Sequence, residues 1–190
     1  MRSAVLAVDC SIDFFPGGAL GAPGADRIIN PANKLMAHAR GCGWLRVASR
    51  DWHSVKTAHF DKWPPHCVQG TEGAKFHPDL DLDGAIVISK GMGDEDDYSP
   101  FRGFADDGRS LEQVLRDEEV GRLYVFGLVT EVCDKAAVLD ALELGFEVYF
   151  VVDASCALNI NLGDGDAAIV EMVSAGARVM TVDDVIAATR

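Results

Sequence analysis

The stretch Arg122–Val152, RLYVFGLVTEVCDKAAVLDALELGFEVYFVV, predicts a strand, a helix and a second strand in that order. Apolar residues run almost without interruption through Arg122–Gly127 and Glu147–Val152, which is typical of strands that are buried on both faces. Between them Glu131–Leu144 has a helical pattern, and Gly145 follows it as a suitable helix C-cap. A strand, a helix and another buried strand indicate a parallel pair of strands joined by a crossover.

The same alternation extends outward along the chain. Further strands are predicted at Ala4–Val8, Trp44–Ser49, Ala85–Ser89 and Arg178–Val182. Further helices are predicted at Pro31–Arg40, Ser110–Glu118 and Asp164–Ala175 and in the C-terminal DDVIAAT, with Asn30 and Ser110 as N-caps. We therefore predict an α/β fold in one domain, residues 1–190, in which a parallel sheet of about six strands carries helices on both faces, as in a Rossmann-like three-layer sandwich.

Composition excludes several classes of partner. The 190 residues carry a formal net charge of −13, from 17 basic and 30 acidic side chains, whereas nucleic acids and anionic membranes attract basic patches. No segment approaches 18 consecutive apolar residues, so no transmembrane helix is expected.

The five scattered cysteines do not suggest a disulfide framework, and this absence favours a cytoplasmic setting. Cys10, Cys42 and Cys156 are expected to be small buried hydrophobic residues.

Reactive side chains follow four of the predicted strands. Asp9 comes after the first strand, Asp51 after the second, Lys90 after the third, and Cys133 lies just past the fourth. Ligands of open parallel sheets bind beyond the carboxyl ends of the strands, so we expect these four side chains to meet at one site.

Three of these residues suit nucleophilic catalysis. Cys133 is expected near a helix N-terminus, where partial positive charge lowers a thiol's pKa and free N–H groups can hold an oxyanion. Asp9 is expected to be a general base whose pKa is raised by partial burial. Lys90 would supply a cation that holds the other two charges in place.

The segment Asp51–Cys67, DWHSVKTAHFDKWPPHC, contains three of the chain's five histidines. The carboxylate of Asp51 and the imidazoles of His53, His59 and His66 form a donor set that suits Zn²⁺, Fe²⁺ or Mn²⁺. The residues alone do not decide between a metal site and a chance cluster of surface histidines.

Several motifs together resemble the nicotinamidase/pyrazinamidase branch of the isochorismatase-like cysteine hydrolases. The matching stretches are AVDCSIDFFPGGAL (7–20), SRDWH (49–53), WPPHCVQGTEGAKFHPDL (63–80), ISKGM (88–92), DDYSPF (96–101), GLVTEVCDKAA (127–137) and VDA (152–154). The tail GDGDAAIVEMVSAGARVMT is also similar, so the resemblance covers nearly the whole chain.

The resemblance implies a role for each matching residue. Asp9, Lys90 and Cys133 match a catalytic triad, and Asp51, His53, His59 and His66 match the ligands of one divalent metal ion, Zn²⁺ or else Fe²⁺ or Mn²⁺. The backbone N–H groups of Val129 and Cys133 match an oxyanion hole that usually depends on a cis peptide bond, here between Leu128 and Val129. Phe14, Trp63 and Tyr98 match residues that line the substrate pocket.

The resemblance also implies a reaction and its setting. The expected activity is hydrolysis of nicotinamide to nicotinic acid and ammonia through a cysteine thioester, in NAD salvage in the cytoplasm. Relatives often form homo-oligomers, so an oligomer is expected here as well.

Three positions depart from the family's common pattern. Ser11 stands where a glutamine is usual, Glu131 where an aspartate is usual, and Asp134 where an apolar residue is commoner. None of these changes removes a catalytic group, but each bears on the shape of the pocket and therefore on the substrate.

Other functions stay open at this point. The chain could be a cysteine amidase of this fold that acts on another small amide, or a non-catalytic metal-binding or thiol-sensing protein. A vinyl-ether hydrolase of the isochorismatase type fits less well, because those relatives typically lack the nucleophilic cysteine.

Overall fold

The fold is built on a mostly parallel sheet. A computed structural model of the chain describes residues 1–93 and 97–189. Within these ranges the strands are β1 (Arg2–Val8), β2 (Leu45–Asp51), β3 (Ile86–Lys90), β4 (Phe104–Ala105), β5 (Val120–Gly127), β6 (Glu147–Val151) and β7 (Arg178–Met180). Their order in the sheet is β4-β3-β2-β1-β5-β6-β7, and only β3 and β4 pair antiparallel among these strands.

Helices cover both faces of the sheet, which confirms the predicted α/β fold. They are α1 (Ile29–Gly41), α2 (Leu111–Asp117), α3 (Lys135–Glu143), α4 (Asp164–Ala175) and α5 (Val182–Ala188). Alternate residues of the central strand face opposite layers: Val5 and Ala7 pack with α1 and α5, while Ala4, Leu6 and Val8 pack with α2, α3 and α4.

The prediction of about six strands needs a correction. A seventh strand, β4, consists of two residues that pair antiparallel with Ile88 and Ser89 at the edge of the sheet. It lies between β3 and α2, and a short 3₁₀ turn at Pro100–Arg102 precedes it. Two residues are too short to show a period, so tertiary pairing alone creates this strand. Asp96, in the DDYSPF motif, lies outside the described residues.

Two further sequence expectations are wrong. Asn30 does not cap α1, because a 3₁₀ turn over Ala25–Ile28 runs directly into the helix and places Ile28 at the N-cap. Cys42 is exposed rather than buried, since it follows the last residue of α1 at the surface. Ser110 does cap α2, where its side chain and that of Gln113 form a capping box.

The described part of the chain has no helix that is both long enough and apolar enough to cross a membrane.

Candidate active site

Asp9, Lys90 and Cys133 meet at the carboxyl end of the sheet. Asp9 follows β1, Lys90 is the last residue of β3, and Cys133 lies in the turn between β5 and α3. The Lys90 Nζ atom is 2.9 Å from Asp9 Oδ2 and 3.6 Å from the Cys133 sulfur. β1 lies between β2 and β5 in the sheet, so strands that are distant in sequence carry these groups to one point.

All three groups are removed from solvent, and burial is the largest single influence on the pKa of each. It raises the pKa of Cys133 well above the ordinary value, against the opposing influence of Lys90, and it also raises the pKa of Asp9. Burial disfavours the Lys90 ammonium as well, but the carboxylates of Asp51 and Asp9 outweigh it and hold the pKa of Lys90 well above its ordinary value. Burial therefore opposes the lowering of the Cys133 pKa that its place near a helix N-terminus predicts.

The turn that carries Cys133 has an unusual backbone. The peptide bond between Leu128 and Val129 is cis, as the resemblance implies. A π-helical turn over Thr130–Asp134 leads into α3, and the carbonyl of Val129 accepts hydrogen bonds from the N–H groups of Val132 at 3.0 Å and Asp134 at 3.3 Å. Cys133 lies in the first turn of this helix, where backbone N–H groups lack partners within the helix.

The three predicted histidine ligands lie together beside this cluster. His53, His59 and His66 are all buried, and one ring nitrogen of each lies within 4.8 Å of the other two. Oδ2 of Asp51 is 3.7 Å from His53 Nε2 and 3.8 Å from His66 Nε2. The three imidazoles thus lie together, and the Asp51 carboxylate lies beside two of them.

Hydrogen bonds orient two of these rings for metal binding. His53 Nδ1 donates to the carbonyl of Gly91 at 3.0 Å, and His66 Nδ1 donates to the carbonyl of Pro64 at 2.8 Å. Because a carbonyl can only accept, the lone pair of each neutral ring is on Nε2, which faces the cluster. His53 Nε2 is buried and has no hydrogen-bond partner among the described residues. These donors fit a divalent metal ion of the Zn²⁺, Fe²⁺ or Mn²⁺ class.

A pocket opens between the cysteine and the histidines. Its empty volume is about 380 Å³, including the part that is open to solvent. The predicted residues Phe14, Trp63 and Tyr98 all line it, and Trp63 Nε1 donates a hydrogen bond to the Tyr98 hydroxyl at 3.2 Å. The other lining residues are Leu20, Asp51, His59, His66, Val129, Val132, Cys133 and Leu158.

Some residues of the site were missed from the sequence. The hydroxyl of Ser49 donates to Asp9 Oδ1 at 2.8 Å, and its place near the end of β2 could have indicated this role. Leu20, Val132 and Leu158 had no such signal, because single aliphatic residues that line a pocket do not differ in sequence from ordinary core residues.

Comparison with known proteins gives consistent matches along the chain. The family model described as the isochorismatase domain matches residues 3–184. A nicotinamidase of Escherichia coli is 38% identical over 95% of this chain and 95% of its own length. A nicotinamidase of Acinetobacter baylyi is 34% identical over 91% of this chain and 89% of its own length.

Solved structures show the same similarity in three dimensions. A pyrazinamidase of Pyrococcus horikoshii in complex with zinc is 40% identical, has a TM-score of 0.86, and aligns over 95% of this chain and 99% of its own. PnC1 of L. infantum in complex with nicotinate is 28% identical, has a TM-score of 0.81, and aligns over 96% of this chain and 94% of its own.

Proposed function

Because the chain belongs to the isochorismatase domain family, we propose that this hydrolase is a nicotinamidase, which converts nicotinamide to nicotinic acid and ammonia. The observation that carries the proposal is the contact of Lys90 with both Asp9 and Cys133 at a pocket that His59 and His66 also line. As nucleophile, base and cation, these three groups would act beside a space bounded by aromatic and aliphatic side chains, which suits a flat ring.

In the first half of the proposed reaction Asp9 takes the proton of the Cys133 thiol, and the sulfur attacks the carboxamide carbon. The raised pKa of the thiol means that this proton is present in the resting protein and leaves as the new carbon–sulfur bond forms. The backbone N–H groups of Val129 and Cys133 would hold the oxyanion. Asp9 then gives its proton to the nitrogen, and the carbon–nitrogen bond breaks. Ammonia departs, and a thioester remains on Cys133.

In the second half a water molecule replaces ammonia. Asp9 takes a proton from this water, whose oxygen attacks the thioester carbon, and the carbon–sulfur bond then breaks. The acid is released, and the proton held by Asp9 returns to the Cys133 sulfur. Lys90 remains an ammonium throughout, since the carboxylates around it hold its pKa well above the ordinary value.

Asp51, His53, His59 and His66 are the proposed metal ligands, and Zn²⁺ is the proposed ion. When bound there, the ion would act as a Lewis acid toward the pyridine nitrogen, directly or through its waters. This assignment explains why one pocket is lined by both Cys133 and imidazoles: the carboxamide carbon and the ring nitrogen are at different positions of one substrate.

The proposed setting follows from the same function. We propose that residues 1–190 act as one domain, and that the enzyme works in NAD salvage in the cytoplasm. All five cysteines are free thiols, which is the common state in a reducing compartment. We also propose a homo-oligomer, since the exposed side chains of Val170 and Val173 on α4 offer an apolar surface.

Ammonia release from nicotinamide by the purified protein, measured beside Cys133→Ala, tests the function. Wild-type release and a loss of at least about 1000-fold in the variant are expected, because the thioester needs the sulfur. Cys42→Ala, at the exposed cysteine, is the matched control and is expected to keep full activity.

The substrate is tested by a panel of amides. Nicotinamide and pyrazinamide are expected to be cleaved and benzamide poorly, because benzamide lacks a ring nitrogen. Equal cleavage of benzamide would contradict the proposed role of the imidazole side of the pocket and would favour a broader amidase.

A further inference from the structure

Glu131 ties the turn that carries the nucleophile to a separate wall of the pocket. It lies two residues before Cys133 in the same π-helical turn. Its carboxylate accepts two backbone hydrogen bonds from another segment, from Leu158 N to Oε2 at 3.2 Å and from Asn159 N to Oε1 at 2.5 Å. Hydrogen bonds to an ionised carboxylate are stronger than those between neutral groups, so Glu131 links the π-helical turn firmly to this second segment.

The segment 156–163, here called the 156–163 loop, is also held on its other side. The side chain of Asn159 accepts a hydrogen bond from the N–H of Gly165 in α4 at 2.9 Å. Asn159 has a φ of +52°, in the left-handed region that asparagine tolerates better than most residues. A Cβ atom on Gly165 would lie 2.5 Å from the Cβ of Ala157, so the loop lies directly against the helix.

Leu158 is the part of this loop that reaches the pocket. It lines the cavity together with Val132 and Cys133, and its own N–H is one of the two groups bound by Glu131. An aliphatic side chain offers no hydrogen bond to a ligand and acts only by the space that it occupies. The position of the Leu158 backbone therefore determines how wide a ring the pocket accepts.

From these contacts we infer that Glu131 is a positioning residue that sets ring-size specificity by holding Leu158 against the pocket. The inference rests on the proposed function and deepens it, because it concerns which pyridine carboxamides the same site accepts. Glutamate is long enough to place both carboxylate oxygens on consecutive N–H groups of the loop. The preferred substrate class is then a pyridine or pyrazine carboxamide without a substituent on the side of the ring that faces Leu158.

Two measurements on Glu131→Ala test this inference. Hydrogen exchange of residues 156–163 is expected to speed up at least about tenfold, because the N–H groups of Leu158 and Asn159 lose their acceptor. The preference in kcat/KM for nicotinamide over 5-methylnicotinamide is expected to fall about tenfold or more, since one extra methyl group in a hydrophobic pocket is worth about 10–200-fold. Glu131→Gln keeps one acceptor oxygen and is expected to give an intermediate change in both.

A double-mutant cycle with Leu158→Ala separates positioning from a general structural effect. If Glu131 acts through Leu158, then Glu131→Ala changes the substrate preference much less when Leu158 is already alanine. Glu112→Ala is the matched control, because Glu112 forms a surface ion pair with Arg116 on α2, and it is expected to leave both measurements unchanged.

Each of these measurements has a result that would overturn the inference about Glu131. Unchanged exchange in Glu131→Ala, an unchanged substrate preference, or equal effects in the two Leu158 backgrounds would overturn the inference. Wild-type protein that cleaves no nicotinamide would contradict the proposed function instead. The exchange measurement needs no substrate and would then decide by itself whether Glu131 holds the 156–163 loop.

Discussion

Lys90 donates a hydrogen bond to Oδ1 of Asp51 at 2.5 Å, while the other oxygen of Asp51 faces the ring nitrogens of His53 and His66. The two residues pair in register where β2 and β3 end. One carboxylate therefore contacts both the lysine of the proposed triad and the proposed metal ligands. The two halves of the site share a residue and are electrostatically linked.

Substitution of Asp51 is expected to affect both halves. In Asp51→Asn the metal content should fall and KM for nicotinamide should rise, because one anionic ligand is lost. kcat should also fall at least about tenfold, because Lys90 loses a carboxylate that holds it in place. Steady-state kinetics and elemental analysis of the purified variant check both effects. An unchanged kcat would show that the Lys90–Asp51 contact does not matter for the chemical step.

His53→Ala, by contrast, is expected to act on one half only. It removes a proposed ligand whose Nε2 is buried without a partner among the described residues, and the contacts of Lys90 with Asp9 and Cys133 do not involve it. We expect about a 10–100-fold loss of metal affinity and a raised KM, with kcat at saturating nicotinamide within about threefold of wild type. His38→Ala, at a histidine on α1, is the control, and dialysis of wild type against a chelator should reproduce the His53→Ala kinetics.

Removal of the buried cation is expected to destabilise the protein. The side chain of Lys90 is fully buried between the Asp9 and Asp51 carboxylates, so Lys90→Met leaves two buried acids without their partner. The free energy of unfolding should fall by about 3–5 kcal/mol. Urea denaturation followed by circular dichroism measures it. Lys135→Met breaks only a surface ion pair with Glu171, and a loss as large in this control as in Lys90→Met would contradict the explanation.

Asp134 gives a pH-dependent prediction. Burial, with repulsion from Asp9 and Glu131, raises its pKa well above the ordinary value, and neither oxygen has a hydrogen-bond partner among the described residues. Such a carboxyl binds its proton more tightly in the folded than in the unfolded protein. Its contribution to stability is therefore full below the unfolded-state pKa of about 4 and is lost as the pH rises toward the folded-state pKa.

Asp134→Asn removes this titration, so the variant should gain stability relative to wild type as the pH rises above about 4, by at most about 1.4 kcal/mol per pH unit. Urea denaturation of both proteins at several pH values from about 5.5 to about 8.5, above the sequence pI of about 4.6 where the net charge is near zero, measures the difference. Asp79→Asn, at an exposed aspartate, should show no such trend. A constant difference between wild type and Asp134→Asn would mean that Asp134 is ionised in the folded protein.

Gly73 lies against Asp13, and Asp13 in turn contacts Cys67, the residue that follows the proposed metal ligand His66. A Cβ atom on Gly73 would lie 2.2 Å from Asp13 Oδ2, which accepts a hydrogen bond from the N–H of Cys67 beside His66. Gly73→Ala should therefore cost about 1–3 kcal/mol of stability and weaken metal binding. Thermal unfolding and a metal titration check this. Gly41→Ala, where a Cβ atom meets nothing within 4 Å, should be close to neutral.

Much of the site could be predicted from strand ends alone. Near-continuous apolar runs located β1, β2, β3 and β5, and the residues after them met where a parallel sheet places a ligand. The structure brings Asp9, Lys90 and Cys133 into contact, and it gathers His53, His59 and His66 with Asp51. The exposure of Cys42 and the pKa of Cys133 were not predictable in this way, because burial is a property of the packed chain.

The amino-acid sequence by itself determined the α/β layers and the family motifs, because the periods of strands and helices are local and appear in neighbouring residues. Only the tertiary structure decided that Asp51 contacts Lys90 and that Glu131 holds Leu158 against the pocket. It also added β4 to the edge of the sheet. The physical reason is that irregular segments have no period of their own, so partners that are distant in the chain determine their conformation.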